Sequence, residues 1–285
     1  MRMSRAVNPP QETGTCWVNG VAGAVVDVFD RGLQYGDGLF EVMAIKDGRI
    51  VLEDYHLQNL AEGCERLFIP QVPVKLLRSE LQSAAEGQAR GVLKLILTRG
   101  SGDRGYRPSP HARATRILSR HAWPTYPPGW EERGIHVRIC DTHWGHNRRL
   151  AGLKHLNRLE QVLAQCEWGE QDNIQEGLML DDEGSVIGGT MTNVFAWLSH
   201  GVLATPSLRL AGVAGVLRRY ILERAEQAGM QTRIASLSLA ELMQAREIFV
   251  CNSIIGVWPV VAIGHWKYAV GSVTRGVQIW VNERS

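Results

Sequence analysis

The chain has 285 residues, 45% hydrophobic and 21% charged, an ordinary globular composition with enough length to bury a large core as one large domain or two small ones. A net charge of +2 excludes the broad basic field of a nucleic-acid or membrane-surface protein, and no stretch approaches the ~20 apolar residues of a spanning helix. The start, Met1 to Thr15, lacks the apolar core of a signal peptide. Cys16, Cys64, Cys140, Cys166 and Cys251 are odd in number, scattered and without CxxC spacing, so they read as reduced thiols of a cytoplasmic protein. The nine histidines form no HExxH pattern, and no metal site is expected.

In chain order, residues 1–15, with Pro9-Pro10, read as a flexible tail. Two short strands, Cys16–Val18 and Val25–Val28, are expected about Asn19-Gly20. The segment Asp30 to Gly38 holds three glycines in seven residues with Tyr35 and two aspartates. Such a loop either packs tightly against another segment or lies beside a ligand. Strands at 39–45 and 49–52 flank Lys46-Asp47-Gly48. Helices follow at 54–68, burying Leu57, Leu60, Cys64 and Leu67, and at 74–88, burying Leu76, Leu77, Leu81 and Ala84. The run 91–98 is strand-like around Lys94 and leads into a glycine loop with Arg99 and Arg104. Lys94 beside those arginines suits either an anion pocket or a solvated strand edge.

After a strand at 114–122, Pro124, Pro127, Pro128 and Gly129 make the strongest break in the chain. It divides a domain over 16–123 from one over 134–285, with 124–133 as linker. Beyond it come strands at 135–140, 177–180, 185–187, 194–198, 202–203, 248–253 and 257–263, and a closing helix at 271–282. A helix over 213–228 buries Val216, Tyr220, Ile221 and Ala225. Its start has no side-chain cap, so its free amides are open to an anion.

The segment from Leu150 to Leu163 sets one lysine, Lys154, between a polar loop and a helix whose apolar positions are 156, 159 and 163. A lysine amine attacks carbonyls once burial or a neighbouring cation lowers its pKa; a solvated lysine at a helix start has the same local sequence.

Six separated words, in order, are DRGLQYGDGLFE, GVLKLILTRGSGDRGY, LAGLKHLNRLEQVL, TNVF, AGVAGVLRR and VCNSIIGVWPV. Together they resemble the fold-type IV pyridoxal-phosphate enzymes, the class of branched-chain and D-amino-acid aminotransferases, and among these the aminodeoxychorismate lyases. The resemblance implies an α/β (α+β) fold of two domains with the cofactor in the cleft between them, the glycine-rich 30–38 segment lining the cofactor cavity, and a homodimer in which the Tyr35–Gly38 loop reaches the neighbour's site. It assigns Lys154 as the Schiff-base lysine and catalytic base. It gives Val216, Leu217, Ser253, Thr190 and Asn193 to the cofactor, and Lys94, Arg104, Asn252 and Tyr35 to the substrate. The implied reaction converts 4-amino-4-deoxychorismate to 4-aminobenzoate and pyruvate in folate synthesis. The alternatives are a D- or branched-chain amino-acid aminotransferase, or a catalytically impaired member. Two departures from the class pattern motivate the last: Asn59 stands where an "HxxRL" arginine would meet the phosphate, and Gly188 where a glutamate would face the pyridine nitrogen. The first loses a charge-assisted contact worth about 1.5–3 kcal/mol, the second the anion that keeps the ring an electron sink.

Overall fold

Strands whose alternate residues are apolar make the first layer. The computed structural model describes residues 15–23 and 25–283. Its first sheet draws on β1 (Cys16–Val18), β2 (Val21–Ala22), β3 (Gly38–Lys46), β4 (Arg49–Ile50), β5 (Arg90–Thr98) and β6 (Thr115–His121), in the order β2-β1-β6-β5-β3-β4. A short helix, α1 (Arg31–Tyr35), precedes β3, while α2 (Glu53–Leu67) and α3 (Val74–Ala85) lie between β4 and β5. The β3–β4 turn has φ of 49° at Asp47 and 73° at Gly48, the left-handed pair that a two-residue hairpin requires. Period two sorts the sheet's faces. Leu39, Met43 and Ile45 on β3, with Leu93, Leu95 and Leu97 on β5, bury against Leu57, Leu60 and Cys64 of α2 and Leu77 and Leu81 of α3. Phe40, Val42 and Ala44 point the other way, and Ala44 joins a cluster with Phe195, Val216 and Phe249 of the second layer.

The chain crosses between layers through residues 122–134, which include α4 (Gly129–Arg133). The second sheet takes in β7 (Ile135–Ile139), β8 (Glu176–Leu180), β9 (Val186–Gly189), β10 (Asn193–Trp197), β11 (Val202–Pro206), β12 (Gln231–Ala235), β13 (Glu247–Asn252), β14 (Gly256–Ile263) and β15 (Trp266–Lys267). Its order is β12-β11-β10-β13-β14-β7-β8-β9, with β15 paired to β14. Helix α5 (Leu159–Gln165) follows the lysine segment. Beyond it, α6 (Val216–Gln227) crosses between the parallel strands β11 and β12, α7 (Leu239–Met243) precedes β13, and α8 (Ser272–Asn282) closes the chain. The fold is mixed α/β, two sheets with helices on each.

Several expectations change here. The strand after Asn19-Gly20 is Val21–Ala22, and 25–28 is not a strand, because the tight turn returns the chain onto β1 at once. The expected tail, 1–15, lies outside the described residues except for Thr15. Leu76 is 40% exposed, since α3 presents Leu77, Leu81 and Ala84 to the sheet. Around Lys154 the expected helix begins only at Leu159, and Leu159 and Leu163 are exposed, not buried. β12 and α7 had no clear periodic signal, the strand being a polar sheet edge.

Candidate active site

Lys154 sits where the two layers are stitched together. On one side Phe40 N donates to Lys154 O (2.9 Å) and Leu156 N to Gly38 O (3.0 Å), tying the lysine segment to the start of β3. On the other, Gly152 N donates to Gly212 O and Ala214 N to Gly152 O, each at 2.9 Å, which ties it to the loop entering α6. The glycine-rich 30–38 loop makes this approach possible. A Cβ on Gly36 would lie 2.3 Å from Asn157 Oδ1, and one on Gly38 would lie 2.6 Å from Leu97 O. Tight packing therefore accounts for these glycines. Around them Asp37 pairs with Arg31 (2.9 Å) and Arg99 (2.7 Å), and the two guanidinium groups outweigh burial to hold its carboxyl below the usual range.

The lysine Nζ lies 4.2 Å from the centroid of the Phe40 ring. Burial pushes its pKa down to about 8, with Arg158 and Lys94 reinforcing the shift and Glu41 opposing it. Glu41 is itself committed to His56 at 2.7 Å, both buried. Lys154 thus has a much larger neutral, nucleophilic fraction near neutral pH than a solvated lysine.

A cavity of about 1320 Å³ opens around it between the two sheets. Val216, Leu217, Ser253, Thr190, Asn193 and Asn252 line the cavity with Lys154. Helix α6 starts there from Gly215 with no side-chain cap. Asn193 fixes that start, accepting from Gly215 N (3.1 Å) and donating to Val213 O (2.8 Å). Free amides at the start of a twelve-residue helix favour an anion by about 0.3–1 kcal/mol or somewhat more. Thr190 Oγ1 donates to Glu176 at 2.5 Å and accepts from Gln165 Nε2 at 2.5 Å. Glu176 is fully buried and its carboxyl is raised by burial, against several donors that pull the other way. Asn252 Oδ1 accepts from Ile254 N and Ile255 N, both at 2.9 Å, shaping the turn that presents Ser253.

The remaining expected residues lie elsewhere. Lys94 is beside the cavity, its Nζ 5.3 Å from the Phe40 ring. Tyr35 and Arg104 do not line the cavity of their own chain: Tyr35 accepts from Gly105 N (3.0 Å) and packs on Tyr106, and Arg104 is exposed on the same loop. Residues that sequence reasoning passed over also line the wall, among them Phe40, Trp144, Arg158 and Gln161. Arg158, Gln161 and Gln165 follow an i, i+3, i+7 spacing, a polar stripe that was available as a signal.

The donor set fits a phosphorylated aldehyde, with a neutral amine for the carbonyl and helix amides for the phosphate. The two departures have local fillings. Asn59 Nδ2 donates to Ala214 O at 3.3 Å, one residue before the α6 N-cap. At Gly188 an added Cβ would sit 2.9 Å from the Thr192 carbonyl, and Gly189 N closes that turn onto Thr192 O at 2.8 Å. The Thr192 carbonyl therefore stands at the edge of the space that a side chain at 188 would use.

Residues 38–263 match the family of class IV amino-transferases. An aminodeoxychorismate lyase of Vibrio harveyi is 34% identical over 266 residues, covering 92% of this chain and 97% of the relative. The crystal structure of 4-amino-4-deoxychorismate lyase from Pseudomonas aeruginosa superposes with a TM-score of 0.90 at 46% identity, covering 94% and 98% of the two chains. A branched-chain amino acid aminotransferase of Escherichia coli, at 23% identity and TM-score 0.82 over 94% and 93%, bears on the fold alone. The chain belongs to the class IV amino-transferase family of pyridoxal-phosphate enzymes, alongside its aminodeoxychorismate lyases.

Proposed function

We propose that the chain is a pyridoxal-phosphate-dependent lyase that converts 4-amino-4-deoxychorismate to 4-aminobenzoate and pyruvate, serving folate synthesis in the cytoplasm. The observation that carries this reading is Lys154, its amine lowered to about 8, in a cavity that also holds the uncapped start of α6. Bound there, the cofactor supplies a carbonyl for the substrate amine and a ring that withdraws electrons from the amine-bearing carbon. Val216 and Leu217 N–H groups and the Ser253 hydroxyl would hold the phosphate. The free Lys154 Nζ would take the proton from that carbon as general base. The ring C–O bond then breaks with its electron pair on the enolpyruvyl oxygen, and the departing enol takes up a proton to become pyruvate; the ring becomes aromatic, and that gain offsets the weaker electron withdrawal expected where Gly188 replaces a carboxylate.

Two cations and one buried carboxylate surround Lys154, and the carboxylate, Glu41, has the strongest charge effect on it. Arg158 and Lys94 are close enough to lower its pKa, while Glu41 is held by His56. A dicarboxylate substrate suits that field. Lys94 and Asn252 serve its carboxylates from within the chain, and Arg104 and Tyr35 from the neighbouring copy of a homodimer. The exposed apolar residues Phe29, Leu33, Leu159 and Leu163 supply surface for that contact. The domains of this reading are 16–123 and 134–285, joined by 124–133.

The test is borohydride trapping with pyridoxal phosphate, followed by the lyase assay. A reducible adduct in the parent, absent in Lys154→Ala, with release of 4-aminobenzoate and pyruvate in equal amounts, is the expected result. An adduct accompanied by pyridoxamine phosphate from simple amino acids and no 4-aminobenzoate would replace the lyase with an aminotransferase.

A further inference from the structure

Gly188 and Gly189 end β9 on the cavity wall, and they face different neighbours, because successive residues of a strand point opposite ways. A Cβ on Gly188 would meet the Thr192 carbonyl at 2.9 Å. One on Gly189 would strike Thr192 Oγ1 and the Glu176 carboxyl, at 2.1 and 2.8 Å. Relative to the class pattern, one glycine withholds a carboxylate from the cavity. The next lets another carboxylate press against the back of the same strand.

Glu176, on β8, is fully buried one layer behind that wall, and no cation pairs with it among the described residues. Its Oε1 accepts from Gly177 N (2.9 Å), Thr190 N (3.1 Å) and Thr190 Oγ1 (2.5 Å). Its Oε2 accepts from Thr192 Oγ1 (2.9 Å) and Met191 N (3.4 Å). Burial raises its pKa in spite of these donors. Its titratable neighbours, Tyr126 of the linker and Cys140 after β7, are both raised, first by burial and in smaller part by this carboxyl. Neither is a cation. A buried carboxylate without a counter-ion is costly.

The hydroxyls carry that charge toward the cavity. Thr190 and Thr192 line it, and both commit their protons to Glu176. Thr190 Oγ1 also accepts from Gln165 Nε2 at 2.5 Å, which leaves it one acceptor lone pair. A wall of this kind offers acceptors and no free hydroxyl proton. It suits a positively charged N–H donor and does not suit a bare ring nitrogen, which needs a donor.

We propose that Glu176, acting through the Thr190 hydroxyl, supplies the negative charge for a protonated heteroaromatic nitrogen in this cavity, taking up in part the task of the carboxylate missing at 188. Glu176 is a positioning residue in this role, since it touches no ligand itself. The inference rests on pyridoxal phosphate being the ring bound at Lys154. Held as a pyridinium, that ring withdraws electrons more strongly than a neutral pyridine does.

The test titrates the full-length protein with pyridoxal phosphate and with its carbocyclic analogue, in which C–H replaces the ring nitrogen. Dissociation constants come from fluorescence, and isotope-edited nitrogen NMR of labelled pyridoxal phosphate reports whether the bound nitrogen is protonated. The parent is expected to show a pyridinium signal. Glu176→Gln should weaken pyridoxal phosphate about tenfold or more, leave the carbocyclic probe unchanged and move the bound signal to that of a neutral pyridine. Thr190→Val should reproduce that selectivity with Glu176 in place, and Thr190→Ser, which keeps a hydroxyl, should restore parent behaviour. Equal loss for both probes, or a pyridinium signal that survives Glu176→Gln and Thr190→Val, marks Glu176 as a clamp on the 189–192 turn and overturns the inference. A neutral nitrogen in the parent overturns the inference alone and leaves the functional reading intact. Absence of a reducible Lys154 adduct in the parent overturns the functional reading and the inference together.

Discussion

Helices α5 and α6 both border the cavity, and they follow opposite rules. In α6 the apolar stripe Val216, Leu217, Ile221 and Ala225 is buried against Phe195 and Phe249 of the second sheet, and only the helix start meets the cavity. In α5 the large apolar residues Leu159, Val162 and Leu163 are exposed and the small Ala164 alone of its apolar residues is buried, while Gln161 is buried at the cavity wall. The hydrophobic effect decides which face turns inward only where the inside is apolar. Where the inside is a polar cavity, the same periodicity marks the wrong face.

Two substitutions set the upper end of the scale. Lys154→Ala abolishes the borohydride-stable adduct and lyase turnover altogether, because Lys154 is the one lysine among the residues that line the cavity. In the parent, the rate of adduct formation climbs with pH and levels off above about 8, the lowered value of the amine; a rise continuing toward the ordinary lysine value would mean that Lys154 is not desolvated in solution. For α6, Ile221→Ala removes a fully buried side chain and costs about 2–5 kcal/mol in urea unfolding. A loss below 1 kcal/mol would contradict the burial that sets α6 against α5.

Much of the molecule was legible from periodicity and turn chemistry. The β3–β4 hairpin, α2, α6 and the hairpin of β8 with β9 all appear near their expected places, because each has an apolar face against an apolar core and a turn of glycine or aspartate. Lys154 was legible as a residue, although its spacing alone left a solvated lysine equally open. Three things were not legible. The glycines at 32, 36 and 38 left packing and ligand contact open by composition, and the resemblance favoured the ligand; only the positions of Thr98, Leu97 and Asn157 show the packing role. Gly188 read as a plain deletion of a carboxylate, whereas in the fold the Thr192 carbonyl lies against it. β12 escaped because its exposed residues Gln231 and Thr232 carry no alternation that an edge strand would need.

Between those extremes lies Asn59, which faces the same cavity as the start of α6. Asn59→Arg adds a guanidinium beside the free amides of Val216 and Leu217 and should tighten pyridoxal phosphate about tenfold or more, consistent with a charge-assisted contact of about 1.5–3 kcal/mol. Pyridoxal, without the phosphate, should gain nothing. If both gained equally, the site at α6 would not be the phosphate site.

The smallest effect on folding belongs to α5. Leu163 is 59% exposed, so Leu163→Ser removes little that folding of one chain buries and should shift the unfolding free energy by no more than about 0.5 kcal/mol. Its consequence should appear between chains. Where Leu159 and Leu163 form part of a homodimer contact, Leu163→Ser, and more strongly the double change with Leu159→Ser, weakens self-association in sedimentation at low protein concentration. Adduct formation at Lys154 should persist, because the lysine turn is held by Gly38, Phe40 and Gly212 of its own chain. Turnover should fall with dissociation if Arg104 and Tyr35 act across the interface. Unchanged association together with a loss of several kcal/mol in the isolated chain would show that α5 buries its apolar residues in solution, and the contrast with α6 would vanish.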